Sequence, residues 1–507
     1  METPAQPIPP SHRPDTTSRH TLDMDPETFR ALGHDLVDRI AGFLESLPRR
    51  RVTAAVSPGE VRDLLDAAAP LPETGRDPAQ LLATTAHLLF DQSLHNGHPR
   101  FLGYITSSAA PMGMLAELLA ASVNPNVGAW TLSPVASEIE AQTVRWTAEL
   151  LGLDPGSGGL LVSGGNMANT VAFWAARVRA AGDAVRQTGS GVGGRMAVYV
   201  SAETHTWIQK AADLSGVGTD AIRWIPTGED LCLDVDALRK AIDRDLEDGM
   251  VPMMVVGTAG SVSTGAVDDL PAIAAICRER DIWFHVDGAY GAPAAVLPDA
   301  PEPLHHLGLA DSVAVDPHKW LYAPLEAGCV LVKDPESLRK AFAYHPPYYH
   351  FGVEATNFVD LGPQNSRGFR ALKVWLALQQ VGREGYLEMI ADDVAMARLL
   401  HTRVEAHPEF EAHTLGLSIS TFRYVPPELR GRVGEPDAEA YLNALNKALQ
   451  ARLEAGGEVF LSNAVVRGRY LLRGCVVNFR TGDDDVAAIP EIVAREGARV
   501  HAELRDP

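Results

Sequence analysis

Ser312-Val313-Ala314-Val315-Asp316-Pro317-His318-Lys319-Trp320 is the stretch whose reading decides the fold. Its first four residues form a short apolar run, and Asp-Pro stops it, as expected of a buried strand. Runs of the same kind recur at Met196–Val200, Met253–Val256, Ile282–Val286 and Cys329–Val332. Helical stretches lie between several of them. After Ser163-Gly164-Gly165, for example, Met167, Val171, Trp174 and Val178 follow an i, i+4, i+7, i+11 stripe. This alternation predicts an α/β fold whose mostly parallel central sheet carries helices on both faces.

Outward from that core the pattern changes. Apolar residues recur at helical spacing from Asp25 to about Leu89, with breaks near Pro48 and Pro70–Pro72. Helical spacing returns at Phe369, Leu372 and Leu376, breaks at Gly382, and resumes at Tyr386, Ile390, Val394 and Ala397. Beyond about residue 400, strands at Ser418–Phe422 and Cys475–Phe479 mix with helices at Ala438–Ala455 and Ile489–Leu504, the composition of a small α+β domain. The expected division is a disordered tail (1–25), an N-terminal helical segment (26–90), a large domain (91–395) and a small C-terminal domain (396–507). Length alone, 507 residues at about 150 per domain, would have suggested three domains.

Composition removes several function classes. The net charge of −21 repels nucleic-acid phosphates and anionic lipid, which argues against both as partners. No apolar run reaches the ~18 residues of a membrane span, and the proline-rich start has no apolar signal-peptide core. Cys232, Cys277, Cys329 and Cys475 are scattered, which fits free thiols in a reducing cytoplasm. Arg49–Arg51 reads as a solvated loop. Gly189–Gly194 lacks the strand and Lys-Ser/Thr of a P-loop and reads as a surface loop.

Five segments can carry chemistry. Lys319 follows a buried strand, and Trp320 and Leu321 after it suggest packed surroundings. Burial lowers a lysine pKa, and a neutral amine can form a Schiff base with an aldehyde cofactor, although a solvated lysine in a turn fits the motif alone. In His285-Val286-Asp287-Gly288-Ala289 the strand period puts His285 and Asp287 on one face. A carboxylate at a strand's C-terminal end lies where open α/β sheets bind ligands, and nothing nearby completes a metal-ligand set. Ser163-Gly164-Gly165-Asn166 opens a helix and is either a phosphate site or only a cap. His205 follows the strand ending near Val200 and can stack on a ring, move a proton, or serve structure. Thr258, in the small-residue stretch Gly257–Gly265, suits close contact with a ligand.

Taken in order, these segments resemble the group II amino acid decarboxylases, the pyridoxal phosphate (PLP)-dependent family of aromatic amino acid and glutamate decarboxylases. The resemblance is carried by His98-Pro99-Arg100-Phe101, Ser133–Glu138, Ser163–Asn166, His205, Gly257-Thr258, Asp287-Gly288-Ala289 and Asp316–Trp320, and extends through Arg370–Trp375 and Asn478–Thr481. It implies a fold-type I PLP enzyme acting as a homodimer, with the N-terminal helices packed on the partner. It implies that Lys319 carries the cofactor as an imine and Asp287 pairs with its ring nitrogen. His205 stacks on one ring face, Ala289 packs on the other, and Thr258 lies near the ring oxygen. Ser163, Gly164, Gly165 and Asn166 line the phosphate site, with His318 close by. The reaction implied is decarboxylation of an L-amino acid, with a lean toward aromatic substrates for which Phe101, Tyr104 and Trp130 are candidate contacts.

One departure bears on the product. Relatives carry a loop tyrosine that protonates the carbanion, and an ungapped count brings Phe358 to its place. In the family such a replacement accompanies oxidative decarboxylation to an aldehyde. Tyr344, Tyr348 and Tyr349 are alternative proton donors. Another PLP reaction, or a PLP-fold protein without catalysis, are the remaining readings.

Overall fold

The computed structural model describes residues 22–189, 193–344 and 355–505. The expected tail up to Thr21, the centre of the Gly189–Gly194 loop, and Tyr348 and Tyr349 lie outside the described residues.

The chain divides into two compact units, residues 22–50 with 56–94 and residues 51–55 with 95–505. The first is helical: Pro26–Ser46, Pro58–Leu65 and Pro78–Gln92. Each helix begins with a proline behind an acceptor side chain. Asp25 accepts from the N–H groups of Glu27 and Thr28, Asp77 accepts from Gln80, and Ser57 and Glu60 form a reciprocal capping box. Phe43 and Phe90 stack at 4.5 Å between the first and third of these helices.

The second unit contains two sheets. Its strands are β1 (Phe101–Leu102), β2 (Gly158–Val162), β3 (Met196–Ser201), β4 (Ile222–Ile225), β5 (Val251–Thr258), β6 (Trp283–Asp287), β7 (Ser312–Val315), β8 (Gly328–Val332), β9 (Phe410–Gly416), β10 (Ile419–Tyr424), β11 (Phe460–Val466) and β12 (Arg469–Cys475). The larger sheet runs β2-β8-β7-β6-β5-β3-β4 and is parallel from β7 through β4, with β8 antiparallel to both its neighbours. Side chains alternate between two cores. Tyr199, Val255, Phe284 and Val313 pack on one face against the helices Pro134–Leu150, Val235–Glu247 and Leu270–Arg280. Val198, Met254, Val256 and Ala314 pack on the other against Gly165–Ala181 and Trp207–Leu214. Burial on both faces explains why these strands read as continuous apolar runs.

The smaller sheet, β1-β11-β12-β10-β9, is antiparallel except that β1 pairs parallel with β11. Pro436–Gly456 and Asp483–Arg505 share its core. The strand expected at Cys475–Phe479 instead occupies Arg469–Cys475, and the chain leaves the sheet after Cys475. Asn478 there turns its N–H to Asp393 and its side-chain amide to the His98 carbonyl. The long helix Ala371–Ala406 kinks at Gly382, which takes φ 67°, a conformation glycine reaches without a Cβ penalty.

Candidate active site

The expected residues converge because β2, β3, β5, β6 and β7 all end at the same edge of the large sheet. That carboxyl edge is where open α/β sheets bind ligands. A cavity of about 350 Å³ opens there, lined by Gly165, Asn166, Asn169, Glu203, His205, Thr258, Asp287, Ala289, Asp316 and Lys319. The smaller sheet closes its far wall with Ser462 and Asn463 from β11 and Arg473 from β12, joined by Tyr104 and Ile105 after β1.

Lys319 sits in a tight turn in which its N–H donates to the Asp316 carbonyl at 2.8 Å. Its Nζ lies 3.1 Å from Asp316 Oδ2. Trp320 and Tyr322 anchor the turn from behind, donating to Asp393 Oδ2 at 2.9 and 2.8 Å. Burial pushes the Asp393 carboxyl up to about 7. Trp320 also stacks on Tyr290, with ring centroids 5.0 Å apart, so the lysine backbone is held on two sides.

Asp287 is oriented rather than free. Trp207 Nε1 donates to its Oδ2 at 2.8 Å, and the Ala289 N–H donates to Oδ1 at 3.2 Å. His205 accepts the Trp207 N–H on Nδ1, which leaves the proton of the neutral ring on Nε2, and desolvation lowers its pKa. His285 turns away from the cavity. Its two ring nitrogens bond Ser312 Oγ and Asn169 Oδ1 at 2.8 and 2.7 Å, and burial pulls its pKa down to about 4. It is a structural partner of Asn169, with no nitrogen left for a metal.

The glycine turn is built for close approach. A Cβ on Gly165 would lie 2.6 Å from Asp316 Oδ2 and 3.0 Å from the Ala289 Cβ, and one on Gly328 would strike the Gly164 backbone at 2.5 Å. The helix makes its first hydrogen bond from Ala168 N–H to Gly164 O at 2.9 Å, so the N–H groups before it lack acceptors within the helix. Ser163, Gly164 and His318 stand behind this turn rather than on the cavity wall, with the His318 ring 3.3 Å from a Cβ at Gly164. His318 Nδ1 accepts the Ala327 N–H, and burial lowers its pKa.

Among the described residues, two buried oxygens of cavity-lining side chains, Thr258 Oγ1 and Asp316 Oδ1, have no partner at full hydrogen-bond geometry. The Thr258 backbone is pinned from outside by Asp268, whose Oδ2 accepts its N–H at 2.7 Å and whose carboxyl burial raises to about 6. Sequence reasoning assigned no role to Asp316, Glu203, Asn169 or Arg473. Asp316 stood inside the quoted motif, whereas Arg473 comes from a distant strand and carries no local pattern. The residue is 4% exposed, and its guanidinium donates to the Val262 carbonyl and leaves Nε unpaired. A lysine, an oriented carboxylate, open helix N–H groups and unpaired buried oxygens together fit an aldehyde-bearing pyridine phosphate.

A family model for the pyridoxal-dependent decarboxylase conserved domain matches residues 58–424. The chain belongs to this family. It is a pyridoxal phosphate-dependent amino acid decarboxylase. It is 33% identical over 473 residues to an aromatic-L-amino-acid decarboxylase of Bacillus atrophaeus, covering 92% of this chain and 95% of that protein. It is 30% identical over 476 residues to a phenylacetaldehyde synthase of a Rosa hybrid cultivar, covering 91% and 92%. The Oryza sativa TDC structure with PLP and tryptamine superposes with TM-score 0.86 at 28% identity, covering 94% of this chain and 99% of that one. The family and the α/β fold with its C-terminal sheet thus agree with the sequence reading.

The structure places the remaining candidates as follows. Phe358 is 1% exposed, shares the core of the Gly165–Ala181 helix, and has the Arg367 guanidinium 4.9 Å from its ring. It does not line this chain's cavity, which argues against the loop-tyrosine position that the ungapped count gave it. Tyr344 stacks under Arg186 at 4.2 Å and is likewise off the cavity wall. Phe101 packs on Phe460, and Trp130 donates to Glu138; of the three aromatic candidates only Tyr104 reaches the cavity. Among the described residues no helix is long and apolar enough to cross a membrane, and all four cysteines are free.

Proposed function

We propose that this protein decarboxylates an aromatic L-amino acid to the corresponding amine. The observation that carries the reading is the single cavity shared by Lys319, Asp287, His205 and the Gly165 helix start. Bound there, PLP supplies an aldehyde and an electron sink for the broken carbon–carboxylate bond. Lys319 Nζ is the amine that holds it. Asp287, fixed by Trp207 and Ala289, presents a carboxylate that keeps a proton on the ring nitrogen. Gly165 and Asn166 offer N–H groups to the phosphate, with Ser163, Gly164 and His318 shaping the turn behind them. His205 and Ala289 would hold the ring between them, with the His205 Nε2–H available to the substrate, and Thr258 would stand near the ring oxygen. Arg473 receives the substrate carboxylate, for which a buried charge on the cavity wall without a carboxylate partner among the described residues is suited.

A homodimer is part of this reading. The helix Pro111–Val123 exposes Leu115, Leu118, Leu119 and Val123, an apolar face suited to a second copy. The N-terminal helices, which expose Phe29, Val37, Leu64 and Leu89, pack on the partner in this reading. Free cysteines fit a cytoplasmic location. Relatives carry both decarboxylase and aldehyde synthase names. The test therefore incubates purified protein with an amino acid panel and follows carbon dioxide, amine, aldehyde and peroxide together. Amine without peroxide from an aromatic amino acid is expected. Aldehyde with matching peroxide overturns the product, and turnover of acidic amino acids alone overturns the substrate class.

A further inference from the structure

Asp316 is a cavity carboxylate that the reading above leaves unused, and the one that pairs with Lys319. It is 2% exposed, its Oδ1 has no partner, and its Oδ2 lies 3.1 Å from Lys319 Nζ. Its position is also unfavourable for an anion once the phosphate arrives, because Oδ2 crowds Gly165 at the helix start. A carboxylate kept beside both a nucleophilic amine and an anion site needs a reason.

We propose that Asp316 is the proton acceptor that frees Lys319 for condensation with the cofactor aldehyde, and that it keeps this proton afterwards. The proton on Nζ passes to Oδ2. The freed nitrogen lone pair adds to the aldehyde carbon, the two remaining amine hydrogens leave with the carbonyl oxygen as water, and a carbon–nitrogen double bond remains. The carboxyl that has taken the proton is neutral, which suits a neighbouring phosphate.

Other groups facing the pair are less suited to this task. His318, with Nε2 3.7 Å from Asp316 Oδ2, and His205 both accept a backbone N–H on Nδ1, so each neutral ring carries its proton on Nε2. Both oxygens of Asp287 already accept N–H groups. Glu203 and Arg473 line the cavity without an ion pair to Lys319 among the described residues, and the Cys329 thiol, on β8, is held protonated by burial.

The inference rests on the cofactor reading above and has a kinetic signature of its own. An ion pair and its neutral, proton-transferred form hold the same number of protons. Condensation through the pair is therefore independent of pH as long as the pair shares one proton. A lysine that must lose its proton to solvent instead reacts about ten-fold faster per pH unit for as long as it rests protonated.

The experiment strips the full-length protein of cofactor, reloads it with PLP, and follows the absorbance of the lysine-linked form between about pH 6 and about pH 8. Wild type is expected to load at a nearly constant rate. Asp316→Asn is expected to load about 100-fold more slowly near pH 7, the usual scale of one general base, and to regain rate ten-fold per pH unit. Its affinity for pyridoxamine 5′-phosphate, which has no aldehyde, should stay within a few-fold of wild type. A wild-type rate that climbs ten-fold per pH unit overturns the inference without any variant. So does a variant that loads like wild type, or one whose pyridoxamine phosphate affinity falls as far as its loading rate. Protein that takes up no PLP at any pH overturns the cofactor reading itself, and this inference with it.

Discussion

Two buried regions of the second unit bring charged groups together, and they differ in how completely those groups are paired. In the first, Arg367 and Glu140 are 1% and 0% exposed at the side chain. Arg367 donates to both Glu140 oxygens and to the Val127 and Leu161 carbonyls, Glu140 also accepts the Leu161 N–H, and the Phe358 ring lies against the guanidinium. In the second, the cavity, Asp316 and Thr258 each leave an oxygen unpaired, and Arg473 has one carbonyl and no carboxylate among the described residues. Leaving a buried polar group unpaired costs about 1–3 kcal/mol, more for a charge. Arg367 also keeps one buried nitrogen, Nε, unpaired, so what separates the regions is the counter-charge: Arg367 has a carboxylate partner and Arg473 has none among the described residues. A buried charge held by its counter-charge marks architecture, and one left without it marks the site.

The largest effect should come from the open region. Lys319→Ala removes the amine, and borohydride treatment of the PLP-loaded variant should fail to label the Lys319 peptide while turnover falls to background. Asp287→Ala should also nearly abolish turnover, with the variant still folded, because the carboxylate contributes charge rather than packing. Wild-type activity in either variant would break the distinction just drawn.

The closed region predicts the reverse. Arg367→Met leaves Glu140 buried without its cation, a loss of about 3–5 kcal/mol in stability. Denaturant unfolding should show the shift, while the PLP affinity of the remaining folded fraction changes little. A variant as stable as wild type that had lost PLP would move this pair into the site.

Much of this contrast was legible in the sequence, for a physical reason. The strands of the parallel sheet are buried on both faces, so Ser312–Val315 and Met253–Val256 show as unbroken apolar runs, and function sits at their ends. Lys319, Asp287, His205 and Thr258 could be found because each directly follows, or ends, such a strand. Arg473 could not. It lies within β12, in a sheet whose strand ends the apolar pattern misplaced, and it meets the cavity only through tertiary packing. Phe358 differs again: position counted along the chain carries no information about depth, and the structure buries this ring away from the cavity wall.

Arg473 offers a smaller test. Arg473→Met keeps much of the buried side-chain volume and removes the charge. If the guanidinium holds the substrate carboxylate in the ground state and the transition state alike, KM should rise about 10- to 100-fold with kcat less affected. Because this cation lacks a carboxylate partner, stability should fall less than in Arg367→Met. A stability loss as large as that of Arg367→Met, with KM unchanged, would place Arg473 among the closed pairs.

The smallest effect on chemistry belongs to Phe358→Tyr. Were this ring the family's proton donor position, a hydroxyl there would move product from aldehyde toward amine. The ring instead packs against Arg367 in the closed region, away from the cavity wall. Adding a hydroxyl to a filled core should cost about 1–3 kcal/mol of stability through overpacking. The amine-to-aldehyde ratio, measured on the same substrate for both proteins, should not change. A shifted ratio would mean that this segment reaches the reacting carbon, and the separation between the paired and unpaired regions would no longer hold.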